Sequence, residues 1–341
     1  MIIAIVYVDD AVFFGKNLKA IKKVKQTFMD MWECQDLGKA KEFLRMRIQR
    51  QGQKILLDQT DYLKKVVERF GMSNARGATT PLPAGYVPVE SKGKCSDAFR
   101  TTYQSIIGSL LYIMLGTHPN ITYAVTKLAQ FSTNPSQEHM EKAKYICRYL
   151  NSTADYALVF DGSSGEGVIG YTDSDWAADM IKRRSITGYF FKLANGIFSW
   201  QSQAQKTVVL SSTEAEYMAM SDCSQQAVWI QSLLGELGYH IQTVPICGDD
   251  QGSIFIGSNP MQERRSKHID IRYRYVRQLA EEKKIDLYWV EGSDNPADLF
   301  TKNLGIEKFA KFRSQLGLVF YSDIPNQKRS APKEKKNLAR T

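Results

Sequence analysis

Val168-Ile-Gly-Tyr-Thr-Asp-Ser-Asp-Trp-Ala177 is an apolar run that stops on a carboxylate, and the pattern of the chain changes there. Residues 168–173 predict a short strand ending at Asp173. Beyond it, 185–192, 196–200 and 207–210 are β-rich segments separated by turn residues. Residues 211–237 then predict one long helix or two joined ones, 245–247 a short strand, 266–280 a helix, and 285–290 a last strand. Three antiparallel strands followed by alternating helix and strand make a mixed sheet with helices on its faces.

Working back, 151–167 is rich in Ser, Asp and Gly and is the expected domain boundary. Residues 103–115, 121–131 and 140–150 predict helices, broken by Pro119 and Pro135. Residues 71–98 carry Pro81, Pro83 and Pro88 with few large apolar groups, so they predict a linker or an extended crossing segment. Before them stand a hairpin over 43–57 that turns at Gln51-Gly52 and a helix with Tyr62, Leu63, Val66, Val67 and Phe70 inward. The chain opens on an Ile/Val-rich strand, Met1 to Val8, which meets Asp9-Asp10 at a tight turn. Leu18, Ile21, Val24, Phe28 and Trp32 then form an amphipathic stripe with lysines on the wet side.

The 341 residues, 43% hydrophobic and 24% charged, suit two folded cores and exclude a disordered chain. The net charge of +9 divides into +7 over residues 1–165, −3 over 166–325 and +5 over 326–341, so an acidic region sits inside a basic whole. A polyanion is the partner that such a balance favours. Five widely spaced cysteines without a C-x-x-C pair argue for reduced thiols and against structural zinc. The apolar opening has neither a basic flank nor a small-residue cleavage site, and it is too short to span a bilayer. The expected setting is cytoplasmic or nuclear, with no membrane partner.

The carboxylates carry the chemistry. Asp173 and Asp249 each end an apolar strand, Glu214 opens the long helix, and Asp298 opens the last one. Carboxylates at strand ends and at a helix start can converge on one edge of a sheet. Four of them suit two hard divalent cations, which clamp a phosphodiester for in-line attack by water. Each also has a structural account: Ser211-x-x-Glu214 is a capping box, Asp249 and Asp298 can cap helices, and Asp173 can accept turn hydrogen bonds. Asp175, Glu216 and Asp250 lie one or two positions away, point elsewhere and are weaker candidates. Asp9 and Asp10 are costly neighbours unless something positive, such as a divalent metal, neutralises them.

Together these strings resemble the C-terminal part of a copia-type LTR retrotransposon Pol polyprotein. The matches are Y-V-D-D at 7–10, Y-x-x-x-x-G-S-L-L-Y at 103–112, Y-T-D-S-D-W-A at 171–177, R-R-S-I-T-G-Y-F-F at 183–191, S-W-Q-S at 199–202, L-S-S-T-E-A-E-Y at 210–217, S-K-H-I-D-I-R-Y at 266–273 and N-P-A-D-L-F-T-K at 295–302. The resemblance implies an α+β and α/β chain. A reverse-transcriptase palm and thumb remnant (1–70), a linker (71–98) and a helical connection (99–165) precede an RNase H-like mixed five-stranded sheet with flanking helices (166–320) and a basic disordered tail (321–341).

It further implies that Asp173, Glu214, Asp249 and Asp298 hold two magnesium ions, manganese being a substitute, and cut the RNA strand of an RNA–DNA hybrid. Asp9 and Asp10 correspond to polymerase metal ligands. The family's third polymerase carboxylate precedes this hairpin, so loss of polymerase activity is the expectation, with an intact polymerase or Pol protein as a further partner. Many RNase H domains carry a mobile His before the last Asp, and residues 291–295 here have none. Arg264, Arg265, Lys267, Arg272 and Arg274 form an expected phosphate-holding surface, and His268 with Asp270 resembles a dyad but is better explained by helix-start packing. A second reading is a catalytically silent retroelement remnant that only binds nucleic acid.

Overall fold

The computed structural model describes residues 1–178, 183–258 and 267–324, and the side chains of all these except 267–270. In chain order its elements are β1 (Ile2–Tyr7), β2 (Asp10–Gly15), α1 (Leu18–Met31), β3 (Glu42–Phe43), β4 (Met46–Gln51), β5 (Lys54–Asp58), α2 (Thr60–Arg69), α3 (Asp97–Gly116), α4 (Thr122–Ala129), α5 (Gln137–Ser152) and β6 (Tyr156–Asp161). They continue with β7 (Ile169–Asp175), β8 (Ile186–Leu193), β9 (Gly196–Ala204), α6 (Ser212–Glu236), β10 (Val244–Gly248), α7 (Gln251–Ser258), α8 (Lys267–Glu281), β11 (Ile285–Trp289), α9 (Ile306–Gln315) and β12 (Leu318–Phe320). No helix among the described residues is long and apolar enough to cross a membrane, and all five cysteines are free.

The expected mixed sheet is present, in the order β11-β10-β7-β8-β9. β7, β8 and β9 form an antiparallel meander, while β10 runs parallel to both β7 and β11. This is the mixed five-stranded sheet with flanking helices expected for this part of the chain. Residues 207–210 are loop rather than strand; their apolar Val208 and Leu210 are exposed and pair with nothing in the sheet.

A second five-stranded sheet, β12-β6-β5-β4-β3, was not foreseen. Its strand β6 runs through the stretch expected to divide the domains: Tyr156-Ala-Leu-Val-Phe is an apolar strand core hidden between polar flanks. β6 pairs with β5 on one side and β12 on the other, both antiparallel. Residues 42–58 and 318–320 are therefore joined through 156–161, and the expected boundary is an interior strand. Residues 321–324, assigned to the expected disordered tail, are ordered. The Tyr321 hydroxyl donates to the fully buried Asp58, which Arg47 also holds at 3.0 Å, and Ile324 is buried. Residues 325–341, the remainder of that tail, lie outside the described residues.

Strand alternation explains why the mixed sheet serves two cores. Tyr189 and Phe191 point from β8 into a core with Tyr217, Ile230, Ile246 and Val276, on the side of α6 and α8. Phe190, between them, points the other way. It joins Ile106, Leu110, Leu128 and Ile146 of α3–α5 and Phe300, Phe309 and Phe312 of the C-terminal segment in the largest core. The 71–98 segment is extended and packed, with Leu82 in that same core. The β1–β2 hairpin forms a separate two-stranded sheet with Ile5, Val6, Tyr7 and Val8 exposed.

Candidate metal centre

β7 carries Asp173 near its C-terminal end, where only 2% of the residue is exposed. Opposite it on β8 stands Gly188. A side chain there would meet Thr301 and Phe300, with Cβ 2.7 Å from the Thr301 methyl, so the glycine lets the 3-10 turn Pro296–Phe300 lie directly on the strand. Buried Asn295 ties that turn down, donating to the Thr172 carbonyl at 2.9 Å and accepting from Ala297 N–H at 3.2 Å. Asp298 is thus carried to the strand end, and the Thr301 hydroxyl donates to Asp173.

Carboxylate oxygens of Asp173, Glu216 and Asp249 all lie within 4.8 Å of one another, forming the one such group of metal-ligating residues among the described residues. Asp249 comes from the end of the parallel strand β10, and Glu216 from the second turn of α6. The Glu216 carboxylate accepts from Ser174 N–H at 3.1 Å, which pins it to β7. The expected Glu214 is not in this group. The Ser211 hydroxyl accepts from Glu214 N–H at 3.2 Å, and the Glu214 carboxylate accepts from Leu210 N–H at 2.9 Å. The Ser211 hydroxyl caps the helix as the motif allowed, while the Glu214 carboxylate braces the residue before that cap rather than closing the box. Two residues along an α-helix turn the side chain by about 200°, so Glu214 and Glu216 cannot both face β7. The adjacent Asp250 likewise caps α7 through Ser253 N–H and accepts from Thr213 at 3.1 Å.

Asp298 stands beside the group without being counted in it. It is 1% exposed and paired with two ammonium groups, Lys302 at 2.5 Å and Lys308 on the other oxygen. Lys302 also reaches to 3.9 Å from Asp173. Burial pushes the Asp173 carboxyl up to about 7, with Lys302 opposing and the charges of Asp298 and Asp249 adding to the rise. Glu216 is raised well above the usual carboxylate range by burial and then by Asp173 and Asp249. Asp249 is raised by burial and by Asp298. Asp175 is raised by burial, with Lys302 and the Lys127 of α4 opposing.

Three hard oxygen donors, mutually close and only partly offset by Lys302, fit a divalent cation. The raised Asp173 carboxyl contributes stability that is complete below its unfolded value near 4 and is lost as pH rises through about 7, and the raised carboxyls of Glu216 and Asp249 act in the same direction. In EDTA, the melting temperature is therefore expected to fall between pH 5.5 and pH 8 by at least about 2 °C more in the wild type than in Glu216→Gln. Magnesium is expected to restore it at pH 8. Equal pH profiles for the two proteins would contradict this electrostatic account.

The other expected site residues lie elsewhere. Asp9 and Asp10 sit at the exposed tip of the β1–β2 hairpin, where Val8 has a positive φ of 51°. They belong to no metal-ligating group of three among the described residues. Arg272 pairs with Asp222 at 2.6 Å, which ties α8 to α6, and Arg274 follows on the same helix. Arg264 and Arg265, and the side chains of Lys267, His268 and Asp270, lie outside the described residues.

A family described as reverse transcriptase (RNA-dependent DNA polymerase) matches residues 1–84. The chain is 38% identical over 328 residues to the retrovirus-related Pol polyprotein from transposon TNT 1-94 of Nicotiana tabacum, covering 93% of this chain and 24% of that polyprotein. It is 32% identical over 219 residues to a putative transposon Ty5-1 protein of Saccharomyces cerevisiae, covering 64% of this chain and 71% of that protein. Among solved structures, an RNase H1 from the archaeon Halobacterium salinarum is similar at 14% identity and a TM-score of 0.30, over 40% of this chain and 95% of that one. The chain thus spans about a quarter of the long polyprotein it matches. With sequence identity extending through both the Y-V-D-D hairpin and the mixed sheet, it belongs to the copia-type Pol polyproteins of LTR retrotransposons.

Proposed function

We propose that this chain is a ribonuclease H module of a retrotransposon Pol protein, hydrolysing the RNA strand of RNA–DNA hybrids at the centre formed by Asp173, Glu216 and Asp249 with Asp298 beside it. The observation that carries the reading is the convergence of three carboxylate oxygens within 4.8 Å at the ends of two parallel strands. Two bound magnesium ions would lower the pKa of the attacking water and neutralise charge developing on the phosphate. The chain's own part is to hold the ligands still. Ser174 N–H fixes Glu216, Thr301 fixes Asp173, and the Asn295 side chain fixes the turn that bears Asp298. Recognition of the RNA strand is assigned to 2′-hydroxyl contacts in the wide minor groove of the hybrid. The +7 of residues 1–165 supplies salt-sensitive grip on phosphates. Asp9 and Asp10 are proposed as the polymerase metal ligands of the longer polyprotein.

The test is cleavage of a labelled hybrid in magnesium by the full chain and by Asp173→Asn. The wild type is expected to cut only the RNA strand, and the variant to be slower by about 10³-fold, equivalent to several kcal/mol of lost transition-state stabilisation. Equal cleavage by both, or none by either, overturns the reading and leaves a protein that binds nucleic acid without cutting it.

A further inference from the structure

Asp298 differs from the other three carboxylates of the centre in having an ammonium in contact with each of its oxygens, whereas Asp173 has only Lys302, at 3.9 Å. Lys302 follows it by one helical turn and meets one oxygen at 2.5 Å, while Lys308, from the first turn of α9, meets the other. Lys308 is itself held. Its ammonium donates to the Gly292 carbonyl at 3.2 Å and lies 5.2 Å from the centre of the Phe312 ring, one turn along α9. The Gly292 backbone in turn lies close to the Asp249 carboxylate: a Cβ there would sit 2.9 Å from its Oδ2 and push the carboxylate aside. One lysine therefore connects the Asp298 carboxylate to the loop that borders Asp249. Lys311, one turn further along, clamps the same loop through Ser293 O at 3.1 Å and Asp294, without touching Asp298.

We propose that Lys308, together with Lys302, acts as a built-in counter-cation for Asp298. The free protein then takes one divalent ion readily, at Asp173, Glu216 and Asp249, and a second only weakly until a substrate phosphate draws the lysines away. The physical basis is competition for one carboxylate. An ammonium in contact with each oxygen lowers the negative charge that a second ion would meet and occupies the directions from which it would bind. Lys308 is a positioning residue: it acts through Asp298, and its reach is set by α9. This inference rests on the nuclease reading.

Direct Mn²⁺ titration of the full chain without nucleic acid, followed by electron paramagnetic resonance and calorimetry, tests it. The wild type is expected to bind one ion tightly and a second much more weakly. Lys308→Met and Lys308→Gln, which remove the charge, are expected to tighten the second ion by about tenfold or more, while Lys308→Arg stays within about threefold of wild type. Lys311→Met, which loosens the loop but leaves Asp298 paired, is expected to change neither ion. A second-ion affinity unchanged in the folded neutral variants, or raised equally by Lys311→Met, overturns the proposal. Failure of both neutral variants to fold would make Lys308 a structural counter-ion and overturn it also. Absence of any bound ion in the wild type counts against the nuclease reading itself, whereas binding without hybrid cleavage removes that reading and leaves the lysine competition standing.

Discussion

Glu216→Gln is expected to abolish hybrid cleavage and to weaken divalent-ion binding sharply, while Glu214→Gln keeps both. The two glutamates stand two residues apart on the same helix, share a charge and are both largely shielded from water, so the contrast isolates direction. Glu216 faces β7, accepts from Ser174 N–H and shares its surroundings with Asp173 and Asp249. Its neutral amide would replace one of three charged oxygen donors with a weaker carbonyl and remove part of the negative charge that retains the ion. The loss amounts to several kcal/mol of transition-state stabilisation, or about 10³-fold in rate. Glu214 faces away and braces the entry to α6, accepting from the N–H of Leu210 just before the Ser211 cap. Glutamine still accepts that hydrogen bond, so the cost is about 1 kcal/mol or less of stability, seen as a small fall in melting temperature at unchanged cleavage. Calorimetric metal titration alongside single-turnover cleavage separates the outcomes. A dead Glu214→Gln that folds and binds metal normally would return the catalytic role to Glu214.

That contrast also marks how far the residues alone reach. Asp173 and Asp249 were legible because each terminates an apolar strand, and a strand end at a sheet edge fixes where a side chain arrives. The choice between Glu214 and Glu216 depends on the rotation of α6 against β7, which neither spacing nor composition contains. One clue was available: Ser211-x-x-Glu214 already accounts for Glu214 as a cap, which leaves Glu216 as the carboxylate without a structural duty. The mixed sheet followed from the order of local segments. The second sheet followed only as far as its local hairpin over 43–57, because the pairings that complete it join residues about a hundred or more positions apart, such as Leu56 with Val159 and Leu158 with Leu318. Tyr321 was assigned to a disordered tail for the same reason, since the carboxylate that orders it, Asp58, lies 263 residues earlier.

Residues 166–320 produced alone are expected not to fold cooperatively, although they contain the whole mixed sheet and every carboxylate of the centre. One face of that sheet is finished by other parts of the chain. Phe190, Ile197, Leu299, Phe300, Phe309 and Phe312 share their core with Tyr103, Ile106, Leu110, Leu128, Ile146 and Tyr149 of α3–α5. Burying such side chains contributes about 1.5–3 kcal/mol each. The fragment's own residues would still bury part of this surface, yet losing even half leaves a deficit on the order of 5 kcal/mol, comparable with the whole stability of an ordinary domain. β12 would also lose its partner β6, and α4 would no longer bring Lys127 to the edge where it opposes the raised carboxyl of Asp175. Far-UV circular dichroism with a thermal melt, set beside Mn²⁺ binding, compares the fragment with residues 1–324. The longer chain is expected to melt in one sharp transition and bind the ion, and the fragment to do neither. In the longer chain, Phe300→Ala is expected to cost about 3–5 kcal/mol, because Phe300 is fully buried in the shared core directly above Gly188. A fragment that melts cooperatively and binds manganese as tightly as the full chain would show that the helices cover the sheet without supporting it.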